Sequence, residues 1–211
     1  MPISRDNVLT WLQDVAQTLA ENREYLIELD SAIGDADHGA NMDRGFKAIM
    51  GKMEEFRDKD IGTIFKTAAM TLISTVGGAS GPLYGTFFLQ AGTKTTGKME
   101  INIEEWALVL EAALAGIVMR GKAELNDKTM VDALTPAVAA LKQAIADGKS
   151  QSEALAQCTE AARLGMEATT PLVARKGRAS YLGERSAGHQ DPGATSSYLI
   201  LKSASKVWKD A

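Results

Sequence analysis

One short segment of the chain concentrates side chains that could bind a metal ion. Asp30, Asp35 and Asp37 fall within eight residues, next to His38, one of only two histidines in the sequence. Carboxylates this close repel one another unless a cation lies between them. Their hard oxygen ligands suit Mg2+, which usually keeps several waters and shares the phosphates of a substrate. In an extended segment, the Asp-Ala-Asp spacing would point both side chains to the same side.

Two other interpretations of this segment compete with a Mg2+ site. An EF-hand needs a Glu at its twelfth position, where this chain has Phe46, and Gly39 directly follows His38. The EF-hand is therefore excluded. An acidic turn fits as well as a metal site, because Asp and Asn often cap helices and close loops. The segment alone does not decide between the metal site and the turn.

A second unusual stretch runs through small residues from Gly77 to Pro82. A proline at the start of a helix leaves free backbone N–H groups around it, and such a helix N-terminus attracts anions, phosphate above all. The alternative is a plain turn between two helices. Three glycines and no large side chain across residues 77–81 favour a close approach of the backbone to another group.

A third stretch, residues 92–99, matches the glycine and lysine positions of a phosphate-binding P-loop. It lacks the final Ser or Thr that would reach Mg2+, and it follows a helical pattern where a P-loop requires a strand. We interpret it as a solvated connector.

Residues 174–191 are predicted to form a long loop, which inside a compact domain is usually functional or disordered. Its basic side chains suit a flap that covers phosphate groups. Asp191-Pro192 then predicts a helix start, with an N-cap followed by proline at the first helical position. The basic residues of the loop are Arg175, Lys176, Arg178 and Arg185.

The length and composition are those of a single domain over residues 1–211. The net charge of −4, with both signs spread along the sequence, argues against a nucleic-acid-binding protein. The single cysteine, Cys158, lies in a helical apolar pattern and is predicted to pack in the core. The N-terminus is unlike a signal peptide, and no apolar run approaches the length of a membrane span. We therefore expect a cytoplasmic protein with no membrane partner.

Apolar residues at three- and four-residue intervals predict helices along most of the chain. No credible strand is found, so the predicted fold is all-α with about eight helices. The predicted helices are 5–21 with a helical continuation to Asp30, about 40–56, one capped by Asp60, about 82–92, one capped by Asn102, one ending near Ala146 with Pro136 near its start, one opened by Ser152, and one that follows Asp191.

Five motifs of this sequence together resemble the nucleotide-binding L subunits of dihydroxyacetone kinases, and the resemblance covers the whole chain. It implies an antiparallel eight-helix barrel with the nucleotide at one end. Leu125-Asn126 interrupts the pattern of the family between Glu124 and Asp127. The resemblance therefore does not specify which residues contact the adenine. In order, the motifs are Gly34-Asp35-Ala36-Asp37-His38-Gly39, Gly77-Gly78-Ala79-Ser80-Gly81-Pro82, Gly121-Lys122-Ala123, Asp127-Lys128-Thr129-Met130 and the run from Arg175 to Ser186.

The same resemblance implies the residues of the site. Asp30, Asp35 and Asp37 are implied to hold two Mg2+ ions that bridge to the phosphates. No catalytic side chain is implied; the metals and Arg178 position the reacting groups. The residues implied to contact tightly bound ADP or ATP are His38, Gly39, Ala40, Asn41, Ala79, Ser80, Gly121, Met130, Arg178, Asp191, Pro192 and Gly193.

The resemblance also implies partner proteins. In this family, dihydroxyacetone is held covalently on a histidine of a separate K subunit, so an L chain is expected to act only with partners. A free-standing L chain resembles the phosphotransferase-system version, in which a phosphohistidine of an M subunit rephosphorylates bound ADP. That ADP then passes the phosphoryl group to dihydroxyacetone, giving dihydroxyacetone phosphate. Such transfer needs positioning and charge neutralisation more than covalent groups from the protein.

Two alternatives to this function stay open at the level of sequence. One is an L-type subunit that exchanges ATP freely and serves dihydroxyacetone or another short sugar. The other is a nucleotide-sensing adaptor that binds a regulator and transfers no phosphoryl group. A homodimer is also left open.

Overall fold

Nine α-helices form most of the chain in the computed structural model, which describes residues 2–209. Two 3-10 segments, Met53–Phe56 and Arg178–Ser186, lie in the connections. The prediction of an all-α fold is confirmed. In chain order the helices are α1 (Arg5–Glu21), α2 (Arg23–Ile33), α3 (His38–Met50), α4 (Ile61–Thr75), α5 (Ser80–Lys94), α6 (Ile103–Gly121), α7 (Met130–Ala146), α8 (Gln151–Ala168) and α9 (Pro192–Trp208).

One pair of two-residue strands corrects the expectation that the chain has no strand. β1 (Ile3–Ser4) pairs antiparallel with β2 (Glu100–Ile101), and the backbone N–H of Arg5 donates to the Met99 carbonyl at 2.8 Å. Strands this short leave no alternating pattern of apolar residues to recognise. The pair holds the start of α1 against the segment that leads into α6.

Local capping signals predicted several helix starts correctly. The side chains of Asp60, Asn102 and Asp191 accept hydrogen bonds from backbone N–H groups in the first turns of α4, α6 and α9. The start of α8 was predicted two residues too late. Its cap is Ser150, because Ser150 and Glu153 form a reciprocal capping box.

Several other boundaries also differ from the predicted ones. The helix after Glu21 does not simply continue, because the Asn22 side chain bonds back to the Thr18 carbonyl at 2.8 Å and a new helix starts. The predicted 40–56 helix divides into α3 and a 3-10 segment. α5 runs from before Pro82 to Lys94, so the P-loop-like stretch is in part the end of a helix. Pro136 lies well inside α7.

The helices contact one another in a closed order. α1 packs on α3, each helix from α3 onward packs on the next, and α9 returns to α1, while α2 lies beside α3 and α9. This is the contact order that an eight-helix barrel requires; the barrel geometry itself stays a prediction. The Trp11 ring lies 5.1–6.0 Å from the ring centroids of four other buried aromatic side chains. These are Phe65, Phe88, Trp106 and Trp208.

Two expectations from composition can be compared with the structure. Cys158 is buried in the core as predicted, and burial raises the pKa of its thiol to about 12. Within residues 2–209, no helix combines the length and the apolar character that a membrane span needs.

Candidate functional site

Four helices begin at the wall of one cavity of about 560 Å3. The first residues of α3, α5, α7 and α9, which are His38, Ser80, Met130 and Pro192, all line it. The first backbone N–H groups of a helix have no partner within the helix and carry a partial positive charge. Four such ends around one cavity favour an anion, and phosphate in particular.

The N-terminus of α5 is the most open of these four ends. Side-chain oxygens of Thr129 and Asp191 cap α7 and α9, and the first N–H of α3 donates to Asp30. No side chain caps α5, and residues 77–80 before and at its start line the cavity. The backbone donors of α5 are therefore available to a ligand.

Two glycines allow this turn into α5. Gly78 has a φ of 62°, a left-handed conformation that glycine adopts without strain. A Cβ at Gly81 would lie only 2.2 Å from the Val76 carbonyl oxygen, so glycine is needed there for the close approach to the end of α4. The sequence had suggested that these glycines approach another group; for Gly81 that group is the protein itself.

The three carboxylates predicted to bind metal lie together at the same cavity. Ligand oxygens of Asp30, Asp35 and Asp37 are within 4.8 Å of one another. Asp30 is buried in the last turn of α2, and its Oδ2 accepts the backbone N–H groups of Asp37 at 2.8 Å and His38 at 3.1 Å. These two bonds fold the connection between α2 and α3 back onto α2.

That connection is a tight turn and not the extended segment expected for Asp-Ala-Asp. Ala36 has a φ of 59°, a left-handed conformation that costs a residue with a Cβ roughly 1–3 kcal/mol. The hydrogen bonds to Asp30 hold the turn in place. Asp35 and Asp37 thus come together because the chain turns between them, and not through the alternation of a strand.

These residues fit the Mg2+ that the sequence suggested. Three carboxylates supply hard oxygen ligands and leave other coordination positions for water and phosphate. A Cβ at Gly34 would lie 2.0 Å from Asp30 Oδ1, so only glycine leaves room for this carboxylate. Bound cations would neutralise the negative charge of a nucleotide's phosphates. Arg178 supplies a further positive group, with its Nη2 3.0 Å from Asp35 Oδ2.

A buried polar network connects three of the helix starts. His38 contacts Ser80 Oγ through Nδ1 at 3.1 Å and Ser196 Oγ through Nε2 at 2.8 Å. The Tyr84 hydroxyl lies 2.6 Å from Ser196 Oγ and 2.9 Å from Ser197 Oγ, and it reaches the Gly193 carbonyl at 3.1 Å. Burial lowers the pKa of His38 and raises that of Tyr84 to about 12. Both groups are therefore neutral near pH 7.

Lys128 is a buried lysine that also lines the cavity. Its ammonium donates to the carbonyls of Thr169 at 2.8 Å, Leu172 at 3.1 Å, Thr170 at 3.3 Å and His189. Burial lowers the pKa of Lys128. The side chain is 1% exposed, so it connects the segment after α8 to the segment before α9 instead of facing solvent.

Asp191 lies near this lysine at the start of α9. Its Oδ2 accepts the Ala194 N–H at 2.6 Å. Burial raises the pKa of Asp191 to about 7, with further raising by Asp132 and Asp30, while the Ala194 hydrogen bond and Lys128 lower it. The residue that caps α9 at the cavity, Asp191, therefore has a carboxyl group that is less acidic than usual.

The segment 174–191 is more ordered than the loop predicted from its sequence. It contains the 3-10 segment Arg178–Ser186, kinked at Gly183, and it packs on α2. The Ser186 hydroxyl accepts the Ala174 N–H at 2.8 Å and donates to the Gly183 carbonyl at 2.6 Å, which closes the segment on itself. Arg178 and the 87% exposed Tyr181 line the cavity.

Most of the residues implied to bind nucleotide line the cavity, and four do not. Gly39 packs on α2, where a Cβ would lie 2.1 Å from the Arg23 carbonyl oxygen, and Ala40 follows it in α3. Asn41 Oδ1 accepts the Gly77 N–H at 3.4 Å and so supports the turn before α5. A Cβ at Gly121 would lie 3.3 Å from the side chain of Leu83. The residues that do line the cavity are His38, Ala79, Ser80, Met130, Arg178, Asp191, Pro192 and Gly193, together with Asp30, Asp35 and Asp37.

Sequence reasoning missed three residues of this site. In the sequence, Tyr84 and Ser196 look like ordinary helix residues. Their role becomes visible only in the structure, where these two residues, 112 positions apart in sequence, contact each other. Lys128 stood in one of the motifs quoted above, but it was read as part of a polar loop. The one signal available for Lys128 was its place in the motif Asp127-Lys128-Thr129-Met130 that carries the resemblance, because a lysine by itself is most often exposed.

Comparisons with known proteins agree with this geometry. The DAK2 domain family matches residues 32–206. The PEP-dependent dihydroxyacetone kinase, ADP-binding subunit DhaL of Escherichia coli (strain K12) is 46% identical over 96% of this chain and 96% of its own length. The PTS-dependent dihydroxyacetone kinase, ADP-binding subunit DhaL of Lactococcus lactis is 42% identical over 96% of this chain and 97% of its own length.

Two solved structures are also similar. The native dihydroxyacetone kinase of C. freundii gives a TM-score of 0.71 at 27% identity over 93% of this chain. The same kinase in complex with AMP-PNP and Mg2+ gives a TM-score of 0.69 at 28% identity over 94% of this chain. This chain spans 33% and 34% of those two chains. The chain therefore belongs to the DAK2 domain family, as one of the L-type subunits of the dihydroxyacetone kinases.

Proposed function

We propose that this chain is the ADP-binding subunit of a phosphoenolpyruvate-dependent dihydroxyacetone kinase. In this proposal ADP stays bound and accepts a phosphoryl group from a phosphohistidine of an M subunit. The resulting ATP phosphorylates dihydroxyacetone held on a K subunit, giving dihydroxyacetone phosphate. Two relatives that match nearly the whole chain carry names that describe such a subunit.

The main support for this proposal is that the carboxylate cluster and the uncapped N-terminus of α5 line the same cavity. The three carboxylates would hold two Mg2+ ions on one side, and the uncapped N-terminus of α5 offers backbone donors on another. Together they suit a polyphosphate that brings its own metal ions. Arg178 of the kinked 3-10 segment adds a positive charge at the cavity, where its side chain is 63% exposed and pairs with Asp35.

The proposal divides the work among the residues of the chain. Asp30, Asp35 and Asp37 hold the ions, residues 77–80 and Arg178 bind and orient the phosphates, and Asp191 to Gly193 contact the nucleotide. No side chain of the chain forms a covalent bond in this scheme. Orientation and charge neutralisation are the main demands of phosphoryl transfer.

Reconstitution with partner subunits tests the proposal. Purified chain is mixed with K and M subunits, the phosphocarriers that charge M, dihydroxyacetone and phosphoenolpyruvate, and dihydroxyacetone phosphate is measured. Product should require all three subunits and should form without added ATP. Product that needs free ATP but not M would favour the subunit that exchanges ATP freely. Nucleotide binding without any product would favour the adaptor.

Arg178→Ala is expected to speed the release of ADP. One charge-assisted contact to phosphate is worth roughly 1.5–3 kcal/mol, or about tenfold to a hundredfold in the dissociation rate. Wild-type protein should carry ADP through gel filtration in Mg2+ buffer, since a bound coenzyme requires slow release. The measurement is the release of labelled ADP into excess unlabelled nucleotide.

Arg185→Ala is the matched control, because Arg185 lies on the same segment, is exposed and does not line the cavity. It should release ADP at the wild-type rate. Complete exchange within seconds in the wild type would argue against the coenzyme function and for the free use of ATP.

Mg-ADP is expected to raise the melting temperature by about 5–10 °C when present at a hundred times its dissociation constant. A ligand bound only by the folded state then contributes about 2.7 kcal/mol, and a domain of this size gains roughly 2–4 °C per kcal/mol. Crowded carboxylates without a cation also repel. The checks are melting curves with Mg-ADP, with Mg2+ alone and with EDTA. Identical curves in all three would contradict the nucleotide site.

Three further features belong to the same proposal. We take residues 1–211 as one domain, we place the protein in the cytoplasm with the phosphocarriers, and we leave direct nucleic-acid and membrane contacts out of its function. The homodimer left open by the resemblance can be tested by light scattering on the purified chain.

A further inference from the structure

The end of α8 and the start of α9 are joined by a direct hydrogen bond, although the two bonded residues are 22 positions apart in sequence. Thr169 is the C-cap of α8, and Asp191 is the N-cap of α9. The backbone N–H of Asp191 donates to Thr169 Oγ1 at 3.0 Å. Thr169 is 0% exposed and does not line the cavity. A hydroxyl group behind the cavity therefore connects two helix ends.

The partners of the Thr169 hydroxyl determine which atom donates in each of its bonds. Its Oγ1 donates to the Met166 carbonyl at 2.6 Å, because a carbonyl oxygen can only accept. A backbone N–H can only donate, so the bond from Asp191 uses a lone pair of the same oxygen. The hydroxyl is thus satisfied both as a donor and as an acceptor, and its proton has a single orientation that serves both partners.

Further bonds close the base of the segment that connects these two helices. The Gly188 N–H donates to the Thr170 carbonyl at 2.8 Å. The Lys128 ammonium donates to the Thr169 carbonyl at 2.8 Å and also to the His189 carbonyl. The two ends of the connecting segment are therefore held together by bonds that do not involve the residues in its middle.

The middle of the connecting segment, which carries Arg178, is attached to a different part of the fold. Ala179 packs with Ile33 of α2 in a small apolar cluster separate from the main core, and Arg178 pairs with Asp35. These contacts attach the segment to α2 and to the turn after α2. The cavity wall formed by residues 191–193 and the segment that carries Arg178 are thus held by different bonds.

We propose that Thr169 is a positioning residue for the bound nucleotide. Its hydroxyl fixes the start of α9, and with it the wall formed by residues 191–193, independently of the segment that carries Arg178. Pro192 and Gly193 line the cavity directly after the bonded amide. A wall that is fixed before binding loses little conformational freedom when the ligand arrives, which favours affinity. This inference rests on the proposed function for the identity of the ligand, whereas the joint between the helices is a property of the protein alone.

Two substitutions at Thr169 separate the hydroxyl from the packing of the side chain. Thr169→Val removes the hydroxyl at nearly constant volume, so the Asp191 N–H loses its acceptor, while the Met166 carbonyl keeps the backbone N–H of Thr169 at 3.1 Å. Thr169→Val should weaken Mg-ADP binding about threefold to tenfold in calorimetry, the worth of one hydrogen bond. Thr169→Ser keeps the hydroxyl and should bind like the wild type. Wild-type affinity in Thr169→Val, or equal losses in both variants, would refute the role of the hydroxyl.

Amide hydrogen exchange, measured by NMR on protein without ligand, tests the joint itself. The Asp191 amide should exchange more slowly than the Ser180 and Ala187 amides, which bond only within the connecting segment. Arg178→Ala should speed exchange at Ser180 and Ala187 but not at Asp191, and Thr169→Val should speed exchange at Asp191 about tenfold. Equal acceleration of all three amides by Arg178→Ala would show that the wall and the segment open together, and would overturn the proposal.

The independence of the two attachments can also be tested on the ligand. The losses of affinity in Thr169→Val and Arg178→Ala should multiply in the double variant, because the two side chains share no partner. A double variant that binds no more weakly than Arg178→Ala would show that Thr169 acts through the segment that carries Arg178, which contradicts the proposal.

Thr95→Val is the matched control. Thr95 is the C-cap of α5 and is 0% exposed like Thr169, but its hydroxyl donates to the Ala91 carbonyl of its own helix at 2.8 Å. It lies at the opposite end of α5 from the cavity. The substitution should leave both the affinity and the exchange at Asp191 unchanged, and a loss equal to that of Thr169→Val would contradict a specific role. If wild-type protein binds no Mg-ADP, the proposed function fails, while the exchange rates still decide whether the joint is independent.

Discussion

Asp37→Asn is expected to weaken Mg-ADP binding by at least about a hundredfold while leaving the helix content unchanged. Asp37 belongs to the carboxylate cluster, and loss of even a group behind a metal ligand commonly costs ten- to hundredfold in affinity. Neutralising the carboxylate would leave the charge of the phosphates less compensated. Because the Asp37 side chain is not needed for the turn, whose bonds use the Asp37 backbone N–H, the fold should be preserved. Calorimetry with ADP and Mg2+ measures the loss, and circular dichroism checks the fold.

Asp58→Asn provides the matched control for this experiment. Asp58 is an exposed carboxylate between α3 and α4 and does not line the cavity. The same change of charge there should leave the affinity for Mg-ADP as it is. Equal binding by Asp37→Asn and the wild type would remove the metal assignment.

Lys128→Met is expected to lower the free energy of unfolding by about 3 kcal/mol or more. Methionine has a similar length but no donors, so the carbonyls of Leu172 and His189 would lose the ammonium as their donor. The carbonyls of Thr169 and Thr170 keep the backbone N–H groups of Leu172 and Gly188. Each buried polar group left unsatisfied costs about 1–3 kcal/mol, and the substitution leaves two. Urea unfolding measures the change.

Lys59→Met is the control for this substitution, since Lys59 is exposed and lies outside the helices. We expect a change within about 0.5 kcal/mol, as for most surface substitutions. A Lys128→Met protein as stable as the wild type would mean that the carbonyls find other donors, and that Lys128 does not hold the segments before α9 together.

The helices of this protein were predictable because their signals are local. Asp60, Asn102 and Asp191 precede apolar periodic runs, and each caps its helix from within three residues. The break at Asn22 has no such signal. Apolar residues continue on both sides of it, and only the bond from Asn22 back to Thr18 shows the interruption. Boundaries set by one side-chain bond are therefore the weakest part of such a prediction.

The site was predictable only as far as its residues are neighbours in sequence. The cluster of Asp30, Asp35 and Asp37 could be recognised from spacing, although its geometry depends on the φ of Ala36 and not on an extended strand. The partnership of Tyr84 with Ser196 spans 112 positions. No periodic pattern contains such a pair, because its cause is the closure of α9 against the rest of the fold.

That closure has a consequence for the biosynthesis of the protein. Trp11 donates to the Ile200 carbonyl and Trp208 to the Asn7 carbonyl, contacts that join positions 189 and 201 residues apart. The ribosome adds about 5–20 residues per second, so α9 is completed roughly ten to thirty seconds after the carboxylate segment. During that time the wall formed by Asp191 to Gly193 does not exist. If the chain binds nucleotide as proposed, nucleotide would therefore enter a finished chain, and a nascent chain that stalls before α9 would lack the cavity that retains it.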